Sequence, residues 1–401
     1  MQPCDNQGAA LVDAQGQPHM CLCVYVSLMF DPQTVRSQLS GLAVQRGYNI
    51  RIDGSILWQL SPLPALIVED VKWASIYNIT GHIEELTLHV NAWRLLGFWR
   101  TENITFDDLS YLKFMSDISI QNGSIRGQAE SGAHWQIDQI RLSANDILLN
   151  QTDFPVQLDF RIGQTLEANA HLMVSVDPLI ERLIISDIFA EIGSARLYGS
   201  LSNIGRGQSA EGKFELSGVN IKQILALLQW QSPIIKGPLT SSAFAFTNID
   251  GSIAFDVEMF GPQNFFAELT LDGQDFSFRA TKNHTNDNLK IHMSGDRLTT
   301  VGYLNPGQSD LNLAPRALIA IFAPLINRPA RTQLEFDIKT FVFANIEITN
   351  LYAKMFSNEG ILQLASLNAD LLDGRFDASG NLIFAGEKPE FKLKSTASGI
   401  N

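Results

Sequence analysis

The residue types that most often carry catalysis or bind metals are scattered along this chain. Its seven histidines include no i, i+4 pair and no His-Glu-x-x-His sequence, the arrangement that lets one helix face bind zinc. The chain also lacks the Gly-x-Ser-x-Gly turn of serine hydrolases and the Gly-x-x-x-x-Gly-Lys-Ser/Thr phosphate loop. Neighbouring acids such as Glu69-Asp70 are expected by composition in a chain with 42 acidic residues. Solvent-exposed faces explain them better than acid/base catalysis does. The sequence therefore predicts no enzymatic activity, metal or cofactor, with a two-carboxylate glycan hydrolase as the enzymatic alternative.

The cysteines offer no site either. Cys4, Cys21 and Cys23 all lie within the first 23 residues, so the rest of the chain can form no internal disulfide and must be stabilised by packing. Cys21-Leu22-Cys23 lacks the spacing of a Cys-x-x-Cys redox or zinc pair, and no second pair exists. We interpret these two residues as apolar thiols.

Residues 20–30 form an apolar run of 11 residues. Spanning a bilayer takes about 20 residues, so the run is too short to cross one. Residues 1–19 contain no Lys or Arg, so the positive flank of a signal peptide is missing as well. We interpret residues 1–30 as the remnant of a longer apolar anchor, and a buried strand is the alternative.

Composition narrows the classes of function. With 29 basic and 42 acidic side chains the formal net charge is −13, which disfavours binding to nucleic acid by bulk charge. Apolar residues make up 45% and charged residues only 18%, so the chain is expected to fold with apolar surface to spare. The 24 phenylalanines outnumber the 7 tyrosines and 6 tryptophans, which favours aromatic packing without hydrogen-bond partners.

Helix signals are few. Asp31-Pro32 combines an N-cap acceptor with proline at the first helical position, and the helix should end at Gly47. Asp177-Pro178 repeats this signal. The spacing of apolar residues then predicts further helices near 178–192, 220–229 and 315–327.

Most of the remaining chain alternates apolar and polar residues with period two, which predicts strands with one buried face. Dipeptides typical of tight hairpins punctuate these runs. They are Asp53-Gly54, Asn122-Gly123, Asp250-Gly251, Asp272-Gly273 and Asp373-Gly374. We therefore expect a mainly β protein with a few helices, built from antiparallel meanders.

The apolar residues of these strands form the candidate site, because an uncovered apolar sheet face needs a lid, a partner sheet or a ligand. A lining of Phe, Leu, Ile and Val can hold acyl chains without directional contacts. Periodicity alone leaves the alternative open that this is the ordinary core of a β-sandwich. The residues expected to line a lipid groove are Val174, Phe255, Val257, Phe265, Leu269, Phe336 and Ile338.

Both ends of the chain carry an ordered series of short patterns. At the N-terminal end the order is an apolar run, Asp-Pro, a short helix ending in Gly, a strand ending in Gly, a proline-flanked strand and a further strand. Its residues are Phe30-Asp31-Pro32, Gly47, Tyr48–Gly54, Ile56–Trp58, Pro62–Leu66 and Val68–Val71. At the C-terminal end the matching segments are Gly360–Leu364, Leu367–Leu382 and Ser398–Asn401. In these segments the chain resembles the AsmA family of bacterial envelope proteins, which includes TamB-like bridge proteins.

The resemblance implies a non-enzymatic protein anchored in the bacterial inner membrane, with its body in the periplasm. Its fold would be a long curved antiparallel sheet forming an apolar groove, with an N-terminal helix after the apolar stub. Its role would lie in outer-membrane biogenesis, with phospholipid acyl chains as the ligand that moves between the two membranes. The implied regions are a remnant anchor over 1–30, an AsmA-like β-rich region over 31–160, and an extended β-groove over 161–401 that is truncated at the C-terminus.

A second function remains open at this point. Exposed sheet edges can pair with strands of other proteins, so the chain is alternatively an assembly factor that regulates the targeting of outer-membrane proteins without carrying lipid. Bound acyl chains in the purified protein distinguish the two functions.

Overall fold

The structure is a computed structural model of the whole chain. Its secondary structure is described for isolated helical positions between 33 and 44, for position 223, and for the ranges 48–59, 64–75, 79–91, 115–128, 134–147, 153–163, 165–177, 182–204, 209–220, 247–258, 261–283, 287–299, 331–343, 346–358, 361–383 and 390–399. The chain divides into two compact units. The first comprises Met1–Gln128 and Gln136–Thr165, and the second comprises Ala129–Trp135 and Leu166–Asn401.

The first unit is built from antiparallel strands around a small apolar core. β1 and β2 both pair with β3, β3 pairs with β4, β4 pairs with β5, and β6 pairs with β7. Ile52, Ile56, Leu66, Val68 and Val71 form the buried cluster. The strands are β1 Tyr48–Ile52, β2 Ile56–Gln59, β3 Ala65–Ser75, β4 Ile79–Val90, β5 Met115–Gln128, β6 His134–Ala144 and β7 Phe154–Ile162.

The second unit is a meander in which each strand pairs with the next one along the chain. Every described pair from β8 to β20 is antiparallel except β15–β16, which is parallel. The sheet is curved, and none of the described pairings returns β20 to β8, so it does not close. The strands are β8 Leu166–Asp177, β9 Arg182–Ile192, β10 Ala195–Ile204, β11 Ser209–Val219, β12 Ile249–Glu258, β13 Gln263–Leu271, β14 Gln274–Lys282, β15 Leu289–Thr299, β16 Thr332–Phe343, β17 Ile346–Asn358, β18 Ile361–Leu371, β19 Gly374–Ile383 and β20 Glu390–Ser398.

The predicted mainly β, antiparallel and curved fold is confirmed, but the predicted helix near 178–192 is wrong. Residues 182–192 form β9, which pairs with β8 on one side and β10 on the other. Asp187 is a bulge residue with φ of 49°. The prediction depended on the Asp177-Pro178 cap signal and on apolar residues at 179, 180, 183 and 184. In β9, however, the adjacent residues Leu183 and Ile184 face opposite sides of the sheet, and pairing with β8 and β10 overrides the local helix signal.

The other predicted helices fall largely outside the described residues. Six described positions between 33 and 44 have helical backbone, and the rest of the expected N-terminal helix is not described. Near 220–229 only Gln223 is described as helical, and its backbone N–H donates to Asn220 Oδ1 at 2.9 Å, as expected for an N-cap. The stretch 315–327 lies outside the description.

Two of the five predicted hairpin dipeptides lie at turns between neighbouring strands, and three do not. Asp272-Gly273 is the turn between β13 and β14, with φ of 49° and 83°, which confirms that prediction. The turn before β19 uses Leu372 and Asp373, one residue earlier than predicted. Asn122-Gly123 and Asp250-Gly251 lie inside strands. Asp53-Gly54 connects β1 to β2, and these two strands both pair with β3, so none of the three dipeptides forms a hairpin.

Candidate functional site

One face of the second unit carries continuous rows of apolar residues. Directly paired residues on neighbouring strands point to the same side of a sheet, so the pairing register traces rows of side chains across it. The first row contains an apolar residue or glycine on every strand from β8 to β20. It comprises Val174, Ile185, Leu201, Gly212, Phe255, Phe265, Ala280, Ile291, Leu334, Met355, Leu364, Gly380 and Leu393.

Two further rows run parallel to the first on the same side, and both consist only of apolar residues and glycines. The second row is Ile188, Gly199, Phe214, Ile253, Ala267, Phe278, Met293, Phe336, Ala353, Leu367 and Ala378. The third row is Ala170, Ala190, Leu197, Leu216, Gly251, Leu269, Phe276, Gly295, Ile338 and Leu351. We call the side that carries these rows the apolar face.

The opposite side, the polar face, carries ion pairs. Lys354 Nζ lies 2.8 Å from Glu335 Oε1, and Lys339 Nζ lies 2.6 Å from Asp296 Oδ1. The hydrogen bond from Lys354 lowers the pKa of the Glu335 carboxyl below its ordinary value, and the hydrogen bond to Asp296 raises the pKa of the Lys339 ammonium. Because these shifts favour the charged forms, this face stays hydrated.

A concavity of about 800 Å³ on the polar face is rich in carboxylates. The Thr270 hydroxyl donates to Asp275 Oδ1 at 2.6 Å, and Lys339 pairs with Asp296. Within the described part of the chain, no three His, Cys, Asp or Glu residues are placed to hold a metal ion. The acidic residues lining the concavity are Glu215, Glu268, Asp275, Asp296 and Asp337.

The structure places all seven sequence-predicted lining residues on the apolar face. Val174, Phe255 and Phe265 belong to the first row, and Phe336 to the second. Leu269 and Ile338 belong to the third row. Val257 pairs with Gln263 at the margin of the face, next to the first row.

The seven residues differ in burial. Ile338 is only 1% exposed and packs as core, as do Leu334 and Ala267 on the same face. Phe265 is 41% exposed, and its cross-strand partner Phe255 is half-buried. Phe265 is therefore the most accessible of the seven residues, and a ligand can contact it without displacing core side chains. We call its surroundings, with Phe255 opposite it, the accessible part of the apolar face.

Glycines shape this accessible part. A Cβ on Gly212 would lie 2.6 Å from two ring atoms of Phe255, so the ring lies across the glycine of the neighbouring strand. Phe214 lies over Gly199 and Phe276 lies over Gly295 in the same way. Each ring therefore covers the bare backbone of a glycine on the neighbouring strand. Sequence reasoning missed these glycines, because only the register shows which ring faces which glycine.

Replacing Gly212 with alanine should destabilise the sheet by about 1–3 kcal/mol, because the new methyl group overpacks against the Phe255 ring. Urea unfolding followed by circular dichroism measures this cost. The double variant Gly212→Ala with Phe255→Leu should recover at least half of the lost stability, since the smaller side chain frees the space. Strictly additive destabilisation would contradict the ring-over-glycine arrangement.

The apolar run 20–30, interpreted as the remnant of an anchor, lies outside the described residues. Among the helical residues that the structure does describe, no helix is long and apolar enough to cross a membrane. The chain matches no protein-family model, no curated protein and no solved structure.

Proposed function

We propose that the chain is a non-enzymatic, AsmA-like protein that binds phospholipid acyl chains along its apolar face. In this role it acts in bacterial outer-membrane biogenesis, anchored in the inner membrane with its body in the periplasm, and transfers phospholipid between the two membranes. The observation that carries the proposal is the first row, in which thirteen successive strands contribute only apolar residues and glycines.

The dimensions and chemistry of this row suit an extended apolar ligand. Strands are spaced about 4.8 Å apart, so thirteen strands trace a path of about 58 Å along the sheet. Each methylene group kept from water on such a path saves about 0.8 kcal/mol. A protein that shields acyl chains in this way lowers the barrier to moving them and needs no proton transfer.

The experiment is native mass spectrometry combined with lipid extraction on the full chain, purified from a bacterial envelope fraction in mild detergent. We expect phospholipid to copurify at one or more molecules per chain. A protein that retains its β-sheet circular dichroism but carries no lipid would refute the proposal.

The alternative function, assembly of outer-membrane proteins, is favoured by one observation. Among the described strands, β20 pairs with β19 alone, and its described side chains are exposed, including Leu393 at 64%. An exposed edge of this kind can accept a strand from another protein. A lipid-free protein in the experiment above would favour this function.

A further inference from the structure

The first row of the apolar face is accessible along most of its length but is closed at one strand. On β8–β15 and on β17–β20, every side chain of this row is half-buried or exposed. Leu334 of β16 is the exception, because only 1% of its surface is exposed. An acyl chain that follows the first row from β8 therefore meets a covered side chain at β16.

The rest of the apolar face is closed at the same place. Ile338 of the third row is 1% exposed, and Ala353 of the second row is 7% exposed. Thr332 lies two residues before Leu334 and so faces the same side, where it is directly opposite Ser357 of β17. Neither Thr332 nor Ser357 has any exposed surface. We call these five residues the β16 block: Thr332, Leu334, Ile338, Ala353 and Ser357.

Complete burial of large side chains is concentrated in the β16 block. The largest side chains that the described part of the chain covers completely are Leu334, Ile338, Val68, Thr332 and Ser357, and all but Val68 belong to the block. Strand pairing changes here as well, since β15–β16 is parallel and the other described pairs of the second unit are antiparallel. Protein interiors are close-packed, so an acyl chain cannot enter the block without displacing these side chains.

The β16 block divides the accessible first row into two unequal stretches. With strands about 4.8 Å apart, β8–β15 provide a path of about 34 Å and β17–β20 a path of about 14 Å. The longer stretch contains the paired rings of Phe255 and Phe265. The shorter stretch ends at Leu393 of β20, which is 64% exposed. The longer stretch therefore offers an acyl chain the larger apolar contact.

We propose that the acyl-chain site comprises the apolar face of β8–β15 alone and ends at the β16 block. This inference rests on the proposed function, because it assigns the bound phospholipid to one part of the apolar face. Leu334, Ile338 and Thr332 set the boundary by filling the space that an acyl chain would need on β16. The protein then holds phospholipid in a bounded site and does not guide acyl chains along all thirteen strands.

The experiment locates the lipid by crosslinking. The full chain is mixed with a phosphatidylglycerol that carries a photoreactive diazirine in one acyl chain, and the crosslinked peptides are identified by mass spectrometry after irradiation. We expect crosslinks within residues 166–299, which an excess of unlabelled dioleoylphosphatidylglycerol abolishes, and none within residues 346–398.

A substitution in the shorter stretch provides the second measurement. Leu393→Glu places a carboxylate at an exposed position beyond the β16 block, so the variant should fold normally. Because the position lies outside the proposed site, affinity for dioleoylphosphatidylglycerol should stay within about twofold of the unmodified chain. Displacement of a fluorescent fatty acid measures this affinity, and circular dichroism checks the fold.

The outcomes separate this inference from the proposed function. If the unlabelled lipid displaces no crosslink anywhere on the chain, the proposed function fails and the inference fails with it. If displaceable crosslinks also fall within residues 346–398, lipid occupies both sides of the β16 block and only the inference is overturned. A loss of affinity of about tenfold or more in folded Leu393→Glu would overturn it in the same way, because the carboxylate would then be buried against the ligand.

Discussion

Replacing Phe265 with glutamate should release bound phospholipid while leaving the sheet folded. Phe265 is 41% exposed on the apolar face, so a carboxylate at this position reaches water when the ligand is absent. With acyl chains in place, the same carboxylate would be buried without a partner, which costs several kcal/mol. We expect at least a tenfold loss of affinity for phospholipid, measured by displacement of a fluorescent fatty acid, with an unchanged circular dichroism spectrum.

The neighbouring residue supplies the matched control. Phe266 follows Phe265 in β13 and points to the polar face, where the Arg279 guanidinium lies 5.4 Å from its ring centroid. The same substitution, Phe266→Glu, places a carboxylate beside that cation and should leave lipid binding within about twofold of the unmodified chain. Equal losses in the two variants would mean that binding does not depend on which face carries the charge.

The amphipathic character of the strands could be predicted from the sequence because alternation depends only on nearest neighbours along the chain. Val174 and Ile338 lie far apart in sequence, yet both fall on the apolar face. Strand pairing explains this, because directly opposed residues share a face, so the apolar residues of each strand lie on the same side as those of its neighbour.

The extent of the face and its accessible part could not be predicted in the same way. Register decides that Phe255 lies over Gly212 and opposite Phe265, and register depends on turns and bulges rather than on composition. Residues 182–192 show the same limit, because pairing with β8 and β10 makes them a strand although the Asp177-Pro178 signal and the local apolar spacing indicated a helix. Burial depends on the folded sheet as a whole, so sequence reasoning could not distinguish Ile338, which is core, from Phe265, which is accessible.

This difference in burial leads to the largest expected effect on stability. Ile338 is 1% exposed in the third row, between Gly295 of β15 and Leu351 of β17. The substitution Ile338→Ala removes buried methyl groups and leaves a cavity, which should lower the free energy of unfolding by about 2–5 kcal/mol. Urea unfolding followed by circular dichroism measures this loss, and the slope of the transition should not change.

A surface isoleucine of the same sheet provides the comparison. Ile346 is 47% exposed at the start of β17, and Ile346→Ala should change the free energy of unfolding by less than about 0.5 kcal/mol. Since Ile338 is covered by the protein itself, folded Ile338→Ala should bind phospholipid as well as the unmodified chain at low temperature, in contrast to Phe265→Glu. A variant of Ile338 that is fully stable but binds lipid tenfold more weakly would place this residue in contact with the ligand, and would extend the accessible part of the apolar face from the first row to the third.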